Sequence, residues 1–307
     1  MVDERHIREL VAADAFFWLD LRAPDEDDLQ ALGRVFDLHP AAMEDSEEWD
    51  QLPKVDDYHD HLLLVFFTAQ RQWDGRNRPV EIHVYLSGGW IITVRRDATP
   101  LDRIHASVRG DESSDERLIV YQLLDALADG WDPVIDELDV RVDDVEVEVL
   151  ERPRQQHLST IYRLKQEVGD LLRVAMRQDL VLREAIELID AVPGLSRSSR
   201  GWLRDLVAHC DSIAADLRRL TGDLSALTET FFNANANRLN RLATYVAVVS
   251  VYFLVLTLLT GFFGQNFGYL VRHVSSATAF WISGVVLPVT VVVSLTAVLF
   301  WRRRDWL

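Results

Sequence analysis

The chain has 307 residues, a formal net charge of −17 at pH 7 and one cysteine. This length allows two or three domains, and a lone cysteine excludes an intramolecular disulfide framework and fits a reducing cytoplasm. The acidic balance argues against a nucleic-acid partner, because binding to phosphate backbones needs clustered Lys and Arg.

The charge is distributed unevenly along the chain. Residues 1–237 hold 26 basic and 48 acidic residues, whereas residues 238–307 hold six Arg and one acid, Asp305. An acidic body of this kind suits divalent cations as partners, although it also serves solubility.

Residues 1–113 are predicted to form an α+β domain. Four short apolar or alternating runs have the length of strands, at 16–19, 62–68, 80–86 and 90–94. A helix is predicted over 25–35, after Pro24. Gly88 and Gly89 indicate a hairpin turn between the last two strands.

The sequence Tyr-His-Asp-His at 58–61 places two imidazoles beside a carboxylate. Such a group can chelate a metal ion. It also fits the start of an edge strand, and we favour the strand.

Residues 114–240 are predicted to form a helical stalk. Helices are expected near 115–130, 133–151 and 154–190, separated by prolines. No proline occurs between Ser196 and Phe263, which predicts one helix of about 65 residues and roughly 100 Å. Its apolar seam has heptad spacing: Leu203, Leu206, Cys210, Ile213, Leu217, Leu220, Leu224, Leu227 and Phe231. Cys210 is interpreted as a small packed hydrophobe on this seam.

Residues 241–307 are predicted to form a transmembrane hairpin. The two apolar runs, 242–263 and 279–301, have 22 and 23 residues and no charged residue or histidine. Each can cross a hydrocarbon core of roughly 30 Å. Arginines flank the outer ends of the hairpin, and the loop holds only Arg272. The positive-inside rule therefore predicts a multi-pass protein of the cell membrane with both termini in the cytoplasm.

A second set of positions, the polar stripe, follows the same spacing on another face of the long helix. It comprises Glu229, Asn233, Ala236, Asn240, Ala243, Ala247, Ser250, Leu254, Thr257 and Gly261. Nine of these ten residues are small or polar, and such residues should not face lipid. Close packing between helices is one explanation. The other is the wall of a pore formed by several copies of the helix, which we favour because the polar residues continue below the membrane.

The end of the first span resembles a known signature. Phe263-Gly264-Gln265-Asn266-Phe267 is similar to the Gly-Met-Asn motif of the CorA-type divalent-cation transporters. Further segments that are similar to the family pattern lie near the signature, at 237–240, 256–261 and 304–307. Others lie in the soluble part, at 38–40, 44–45, 53–55 and 148–153. The resemblance covers essentially the whole chain.

The resemblance implies a homopentameric funnel whose pore is lined by the first span of each subunit. Ions would be captured at Gly264, Gln265 and Asn266. The pore would be lined by Glu229, Asn240 and Thr257, with Ser250 and Gly261 on the same stripe. A hydrophobic gate would fall on Ala243, Val246 and Leu254. Asp205 and His209, which share one face of the helix, would bind regulatory divalent ions.

The expected function is therefore channel-like transport of divalent cations, with Mg²⁺ first and Co²⁺ or Ni²⁺ next. A divalent cation would be both substrate and regulator, and no further cofactor is expected. The expected partners are other copies of the chain and the lipid bilayer. The sequence contains no Walker A, HExxH, GxSxG or CxxC motif, so an enzyme is not expected.

Two departures from the family pattern concern selectivity. Gln265 replaces the usual Met, and residues 268–278 contain no acid but carry Arg272 and His273. A basic mouth should slow cation capture, and a histidine at the mouth can make uptake depend on pH. Three alternatives therefore stay open: a proton-coupled Zn²⁺ transporter of the same superfamily, a non-conducting metal sensor anchored in the membrane, and an anion-tolerant pore.

Overall fold

A computed structural model describes residues 3–13, 16–102, 104, 116–192, 200–265, 268–273 and 276–304. The chain divides into two compact units, Met1–Phe231 and Phe232–Leu307. The predicted division at 113 and 240 is finer than this one and stays a prediction.

The first unit contains an α+β domain and long helices. Its first half holds α1 (Glu4–Ala12), β1 (Phe17–Arg22), α2 (Glu26–Phe36), α3 (Pro40–Glu48), β2 (Lys54–Asp57), β3 (Leu62–Arg71), β4 (Asn77–Leu86) and β5 (Trp90–Arg95). These are followed by α4 (Glu116–Asp129), α5 (Asp132–Glu151), α6 (Gln155–Ala191) and α7 (Arg200–Phe263). The unit boundary falls within α7.

The five strands form one sheet in the order β1-β5-β4-β3-β2. Only the β1–β5 pair is parallel. The four predicted strands are confirmed, and the Ser87 N–H donates to the Trp90 carbonyl across the predicted turn at 3.0 Å. β2 escaped prediction because its sequence, Lys-Val-Asp-Asp, is short and polar, as befits an edge strand.

The sheet packs against the helices through side chains that satisfy its backbone. Beyond its pairing with β2, β3 has a free edge at Phe67. The Gln178 amide on α6 accepts from the Phe67 N–H at 2.7 Å and donates to the Phe67 carbonyl at 3.1 Å. The buried indole of Trp131 donates to the same carbonyl at 3.1 Å. These bonds satisfy the Phe67 backbone groups where helices cover the sheet.

The predicted seam of the long helix is confirmed. Every seam residue from Leu203 to Phe231 is between 0% and 6% exposed. Cys210 packs there as a hydrophobe, and burial raises the pKa of its thiol to about 12. The seam therefore holds the first half of α7 within the first unit.

The second unit holds the end of α7 and the rest of the chain. It contains α8 (Gly268–His273), α9 (Ala277–Trp281), a π-helical segment (Ile282–Val286) and α10 (Leu287–Arg304). In the part of the chain that the structure describes, two helical stretches, 201–263 and 277–298, are long and apolar enough to cross a membrane. No residue of their most apolar windows is buried, as expected for surfaces that meet lipid or other helices.

An ion pair at the end of β5 leads to a prediction about acid stability. The Arg95 guanidinium, 2% exposed, lies 2.7 Å from an Asp20 oxygen and 2.5 Å from an Asp102 oxygen. The hydrogen bond from Arg95 lowers the pKa of Asp102. The pair therefore stabilises the fold above the unfolded-state pKa of about 3.9 and loses its effect as the pH falls through the lower folded-state value.

Asp102→Asn should lower the melting temperature at pH 7, and the difference from wild type should shrink as the pH falls below about 4. The loss should stay below about 1 kcal/mol because Asp102 is 44% exposed. Tryptophan fluorescence against temperature measures it, with Asp136→Asn on exposed helix surface as control. A difference that is independent of pH would contradict this interpretation.

Candidate ion pathway and cation cluster

The membrane-spanning part of α7, which is the first span of the chain, has two distinct faces. The Tyr252 hydroxyl shares a hydrogen bond of 2.8 Å with the Thr296 hydroxyl of α10. The partly buried residues on the same side are Val248, Val255, Leu256, Leu259 and Phe263. This face therefore packs against the second span.

The polar stripe lies on the opposite face. At about 100° per residue, the stripe positions from Ser250 to Gly261 lie about 140° to 200° around the helix axis from Tyr252. All ten stripe residues are exposed. Among the predicted gate residues, Val246 is 66% and Leu254 68% exposed. The stripe is thus left uncovered by the second span.

A concavity of about 790 Å³ runs along the upper part of the stripe. Its lining includes Leu254, Thr257, Gly261 and Gln265, so the predicted capture residue Gln265 continues the stripe past the end of the helix. A Cβ on Gly261 would meet no atom within 4 Å. The packing of a single copy therefore gives no reason for glycine at this position.

The helix ends at the signature. The Gly264 N–H donates to the Thr260 carbonyl at 2.9 Å. A Cβ on Gly264 would lie 3.0 Å from that carbonyl oxygen, which is a crowded contact. Glycine at 264 therefore lets the chain turn tightly against the end of α7. Asn266, the remaining predicted capture residue, lies outside the described residues.

The short helix α8 carries the basic residues noted in the sequence. The His273 ring nitrogen Nδ1 lies 2.9 Å from the Tyr269 carbonyl, and the two rings stack with centroids 4.1 Å apart. These contacts fix the His273 ring against its own helix.

A second candidate site surrounds His209 in the first unit. Ligand atoms of Asp125, Asp129 and His209 all lie within 4.8 Å of one another. His209 Nδ1 is 3.8 Å from Asp125 and 3.9 Å from Asp129, while Nε2 is 3.5 Å from Asp132. We call these four residues the cation cluster. They bring α4, the start of α5 and α7 together.

The electrostatics of the cluster favour a bound cation. Burial, and then the charge of Asp125, raise the pKa of Asp129. Burial and the same Asp125 charge raise the pKa of the neighbouring Tyr121 hydroxyl to about 12. Both shifts come first from burial and then from crowded negative charge, and a divalent ion would relieve the repulsion. Imidazole and carboxylate together suit transition metals, and carboxylates alone suit Mg²⁺.

A family model described as "CorA-like Mg2+ transporter protein" matches residues 13–304. The chain belongs to the CorA-like Mg²⁺ transporter family. The cobalt/magnesium transport protein CorA of Thermotoga maritima is 23% identical over 300 residues, which cover 94% of this chain and 83% of that protein.

Solved structures of CorA-like proteins share the fold. The complete CorA magnesium transporter of Methanocaldococcus jannaschii matches with a TM-score of 0.78 and 15% identity, over 92% of this chain and 89% of that chain. The full-length CmaX protein matches with a TM-score of 0.68 and 18% identity, over 94% and 87%. The predicted fold class and the two membrane-spanning helices are thereby confirmed. The family match confirms the prediction of a CorA-family transporter rather than an enzyme.

The sequence found only one member of the cation cluster of this CorA-family chain. Asp205, predicted to act with His209, is exposed on the preceding turn of α7 and is not among the three residues within 4.8 Å of one another. Its charge contributes to the raised pKa of Tyr121. Asp125 and Asp129 escaped prediction because they lie about 80 residues earlier. Their i, i+4 spacing on α4 was the available signal.

The His59–His61 segment is explained by the strand interpretation. The Tyr58 N–H donates to the His61 carbonyl at 3.0 Å, which closes the turn between β2 and β3. The His61 ring is 5% exposed and stacks on Tyr58 with centroids 5.2 Å apart. The segment therefore leads into a strand, as predicted, but this strand, β3, lies between β4 and β2 and is not at the edge of the sheet.

Proposed function

We propose that the protein is a channel-like transporter that conducts divalent cations across the cell membrane, with Mg²⁺ as the preferred substrate and Co²⁺ or Ni²⁺ as further substrates. The observation that carries this proposal is the position of the polar stripe on α7, opposite the face that packs against α10. In a ring of copies, the stripe would face the central axis and α10 would lie outside. We infer a homopentamer with both termini in the cytoplasm, in agreement with the arginine flanks.

The chemistry of the stripe suits a hydrated divalent ion. Mg²⁺ gives up its water reluctantly and prefers octahedral oxygen ligands. Rings of amide and hydroxyl oxygens from Asn240, Ser250 and Thr257 would contact the ion through its first-shell water. Gly261 would let the copies approach closely, and Glu229 would form an acidic ring at the cytoplasmic end.

The mouth of the pore would be formed by Gly264, Gln265 and Asn266. Gly264 allows the tight turn after α7, and the Gln265 and Asn266 amides would offer oxygen atoms to the arriving ion. No energy source besides the membrane potential is required, because it supplies about 4.6 kcal/mol per divalent ion per 100 mV.

Cytoplasmic divalent ions would regulate the pore. An ion at the cation cluster would neutralise Asp125 and Asp129, be ligated by His209, and lie near Asp205 on the preceding turn of α7. If the closed assembly binds this ion more tightly than the open one, rising cytoplasmic Mg²⁺ shifts the population toward the closed state.

Flux into proteoliposomes tests the proposal. We expect Mg²⁺ uptake that follows the membrane potential, ignores a pH gradient and is lost in Asn266→Ala. Asn237→Ala, the same substitution off the stripe, is the matched control and should transport normally.

The same assay separates the other functions. Zn²⁺ uptake that needs a pH gradient would replace the proposal with a proton-coupled zinc transporter. Anion flux that Arg272→Glu suppresses would point to an anion-tolerant pore. No flux of any of these ions would leave a membrane-anchored metal sensor.

A further inference from the structure

A basic cavity lies on the first unit, far in sequence from the ion pathway. It has a volume of about 1130 Å³ and is bounded by the β3–β4 turn, the start of β4 and the first half of α6. Its cationic lining residues are Arg76, Arg78, Arg141, Arg163, Lys165 and Arg173. Only three acids, Asp74, Glu167 and Asp170, line it. A net positive cavity is unexpected on a body in which acids greatly outnumber bases.

Three of the six cations are already paired. Arg141 contacts Glu167 with two hydrogen bonds of 2.8 and 2.9 Å. The two other pairs are Arg78–Asp74 at 2.7 Å and Arg173–Asp170 at 3.3 Å. Because these pairs use all three acids of the lining, the positive charge that is left comes from the remaining three cations.

The other three cations form no side-chain ion pair within the described parts of the chain. They are Arg76, Arg163 and Lys165. The Arg76 backbone N–H donates to Asp74 at 3.0 Å, and the only side-chain hydrogen bond of Arg163 in these parts goes to the Thr160 hydroxyl at 3.1 Å. Three cationic side chains outside any ion pair around one cavity suit several phosphate groups.

Asn77 provides an independent sign of a ligand. It lines the cavity and is 3% exposed. Its backbone N–H donates to Glu167 at 2.9 Å, but within the described residues neither Nδ2 nor Oδ1 of its side chain has a hydrogen-bond partner. A buried amide with both groups unsatisfied is rare in native proteins and calls for a partner from outside the chain.

We propose that the basic cavity binds a nucleoside polyphosphate such as ATP. The phosphates would contact Arg76, Arg163 and Lys165. The free donor and acceptor of the Asn77 amide match the donor and acceptor on the edge of adenine, which Asn contacts with two hydrogen bonds. Both amide atoms are closed to solvent in this structure, so a lining side chain has to turn aside for the base to reach them. The volume is ample for a nucleotide. This binding would give the transporter an anionic effector in addition to the cations that it conducts.

Equilibrium binding of radiolabelled ATP to the full-length protein in detergent tests the proposal. The buffer is stripped of divalent cations with a chelating resin, so that the cation cluster is empty and flux plays no part. We expect saturable binding that weakens at least about tenfold in Arg163→Ala/Lys165→Ala. Arg5→Ala/Arg8→Ala on the exposed surface of α1 removes the same charge and should bind as wild type does.

Asn77→Ala tests recognition of the base. It should weaken ATP binding but leave binding of inorganic tripolyphosphate unchanged, and thermal melting of each variant checks its folding. No saturable ATP binding, or wild-type binding by Arg163→Ala/Lys165→Ala, would overturn the proposal. Equal binding of ATP and tripolyphosphate, with no effect of Asn77→Ala on either, would overturn the nucleoside assignment and leave water as the partner of the amide. Because binding is measured without transport, these outcomes are independent of the flux results.

Discussion

Leu254→Asn is expected to increase Mg²⁺ flux about tenfold when Mg²⁺ inside the vesicles is high enough to close the wild-type protein. Leu254 is 68% exposed on the polar stripe and is the one large apolar residue among its ten positions. In a symmetric ring its copies would form an apolar constriction that shuts the pore by dewetting. An amide at this position would keep water in the constriction, so that the closed state would leak.

Val249→Asn is the matched control for this experiment. It adds the same amide to the same helix, on a side chain that is 52% exposed but lies about 140° around the axis from Leu254. We expect no increase in flux from Val249→Asn. Equal flux from the two variants, or no increase from Leu254→Asn, would show that Leu254 does not close the pore. The other proposed gate residues, Ala243 and Val246, would then have to be tested in the same way.

Asp125→Asn/Asp129→Asn is expected to raise the cytoplasmic Mg²⁺ concentration for half-maximal inhibition at least about tenfold, because two of the three carboxylates of the cation cluster lose their charge. The measurement is Mg²⁺ flux at a series of Mg²⁺ concentrations on the cytoplasmic side. Asp143→Asn/Asp144→Asn, which removes two exposed carboxylates from α5, is the control and should be inhibited as wild type is.

Thermal melting distinguishes a lost ligand from a damaged fold. Mg²⁺ should raise the melting temperature of the wild-type protein by mass action and should have less effect on Asp125→Asn/Asp129→Asn. The raised pKa of Asp129 means that its charge opposes folding at neutral pH. The double variant should therefore melt no lower than wild type without metal. If Mg²⁺ inhibited the double variant as it inhibits the wild-type protein, the cation cluster would not be the regulatory site.

Features that depend on local periodicity could be predicted from the sequence. The seam from Leu203 to Phe231, the two spans and the four apolar strands follow from repeats of two, three or four residues, which local geometry imposes. The opposition of Ser250 and Tyr252 on α7 follows from the same helical repeat. Assigning the two faces of α7 required the Tyr252–Thr296 contact, because that contact shows which face the second span covers.

Features that depend on tertiary contacts could not be predicted. α3 escaped prediction for a local reason, because it has weak amphipathicity and an uncommon cap, the His39 ring, which accepts from the Ala41 N–H at 3.2 Å. Asp125 and Asp129 meet His209 only because α4 packs beside α7. The basic cavity likewise brings the turn near Arg76 next to Lys165 on α6. No motif in either segment indicates that the two meet in the fold.

Cysteine accessibility in proteoliposomes tests the central claim, that the polar stripe lines the pore, most directly. Ser250→Cys and Thr257→Cys place a thiol on the stripe, and Val249→Cys and Leu256→Cys place one about 100° around the helix from these positions, on the side of Tyr252. The native Cys210 does not interfere, because it is 2% exposed and its thiol pKa is raised to about 12. A positively charged methanethiosulfonate reagent should block Mg²⁺ flux at 250 and 257 and leave it unchanged at 249 and 256. Block at 249 or 256 without block at 250 and 257 would contradict a pore lined by the stripe.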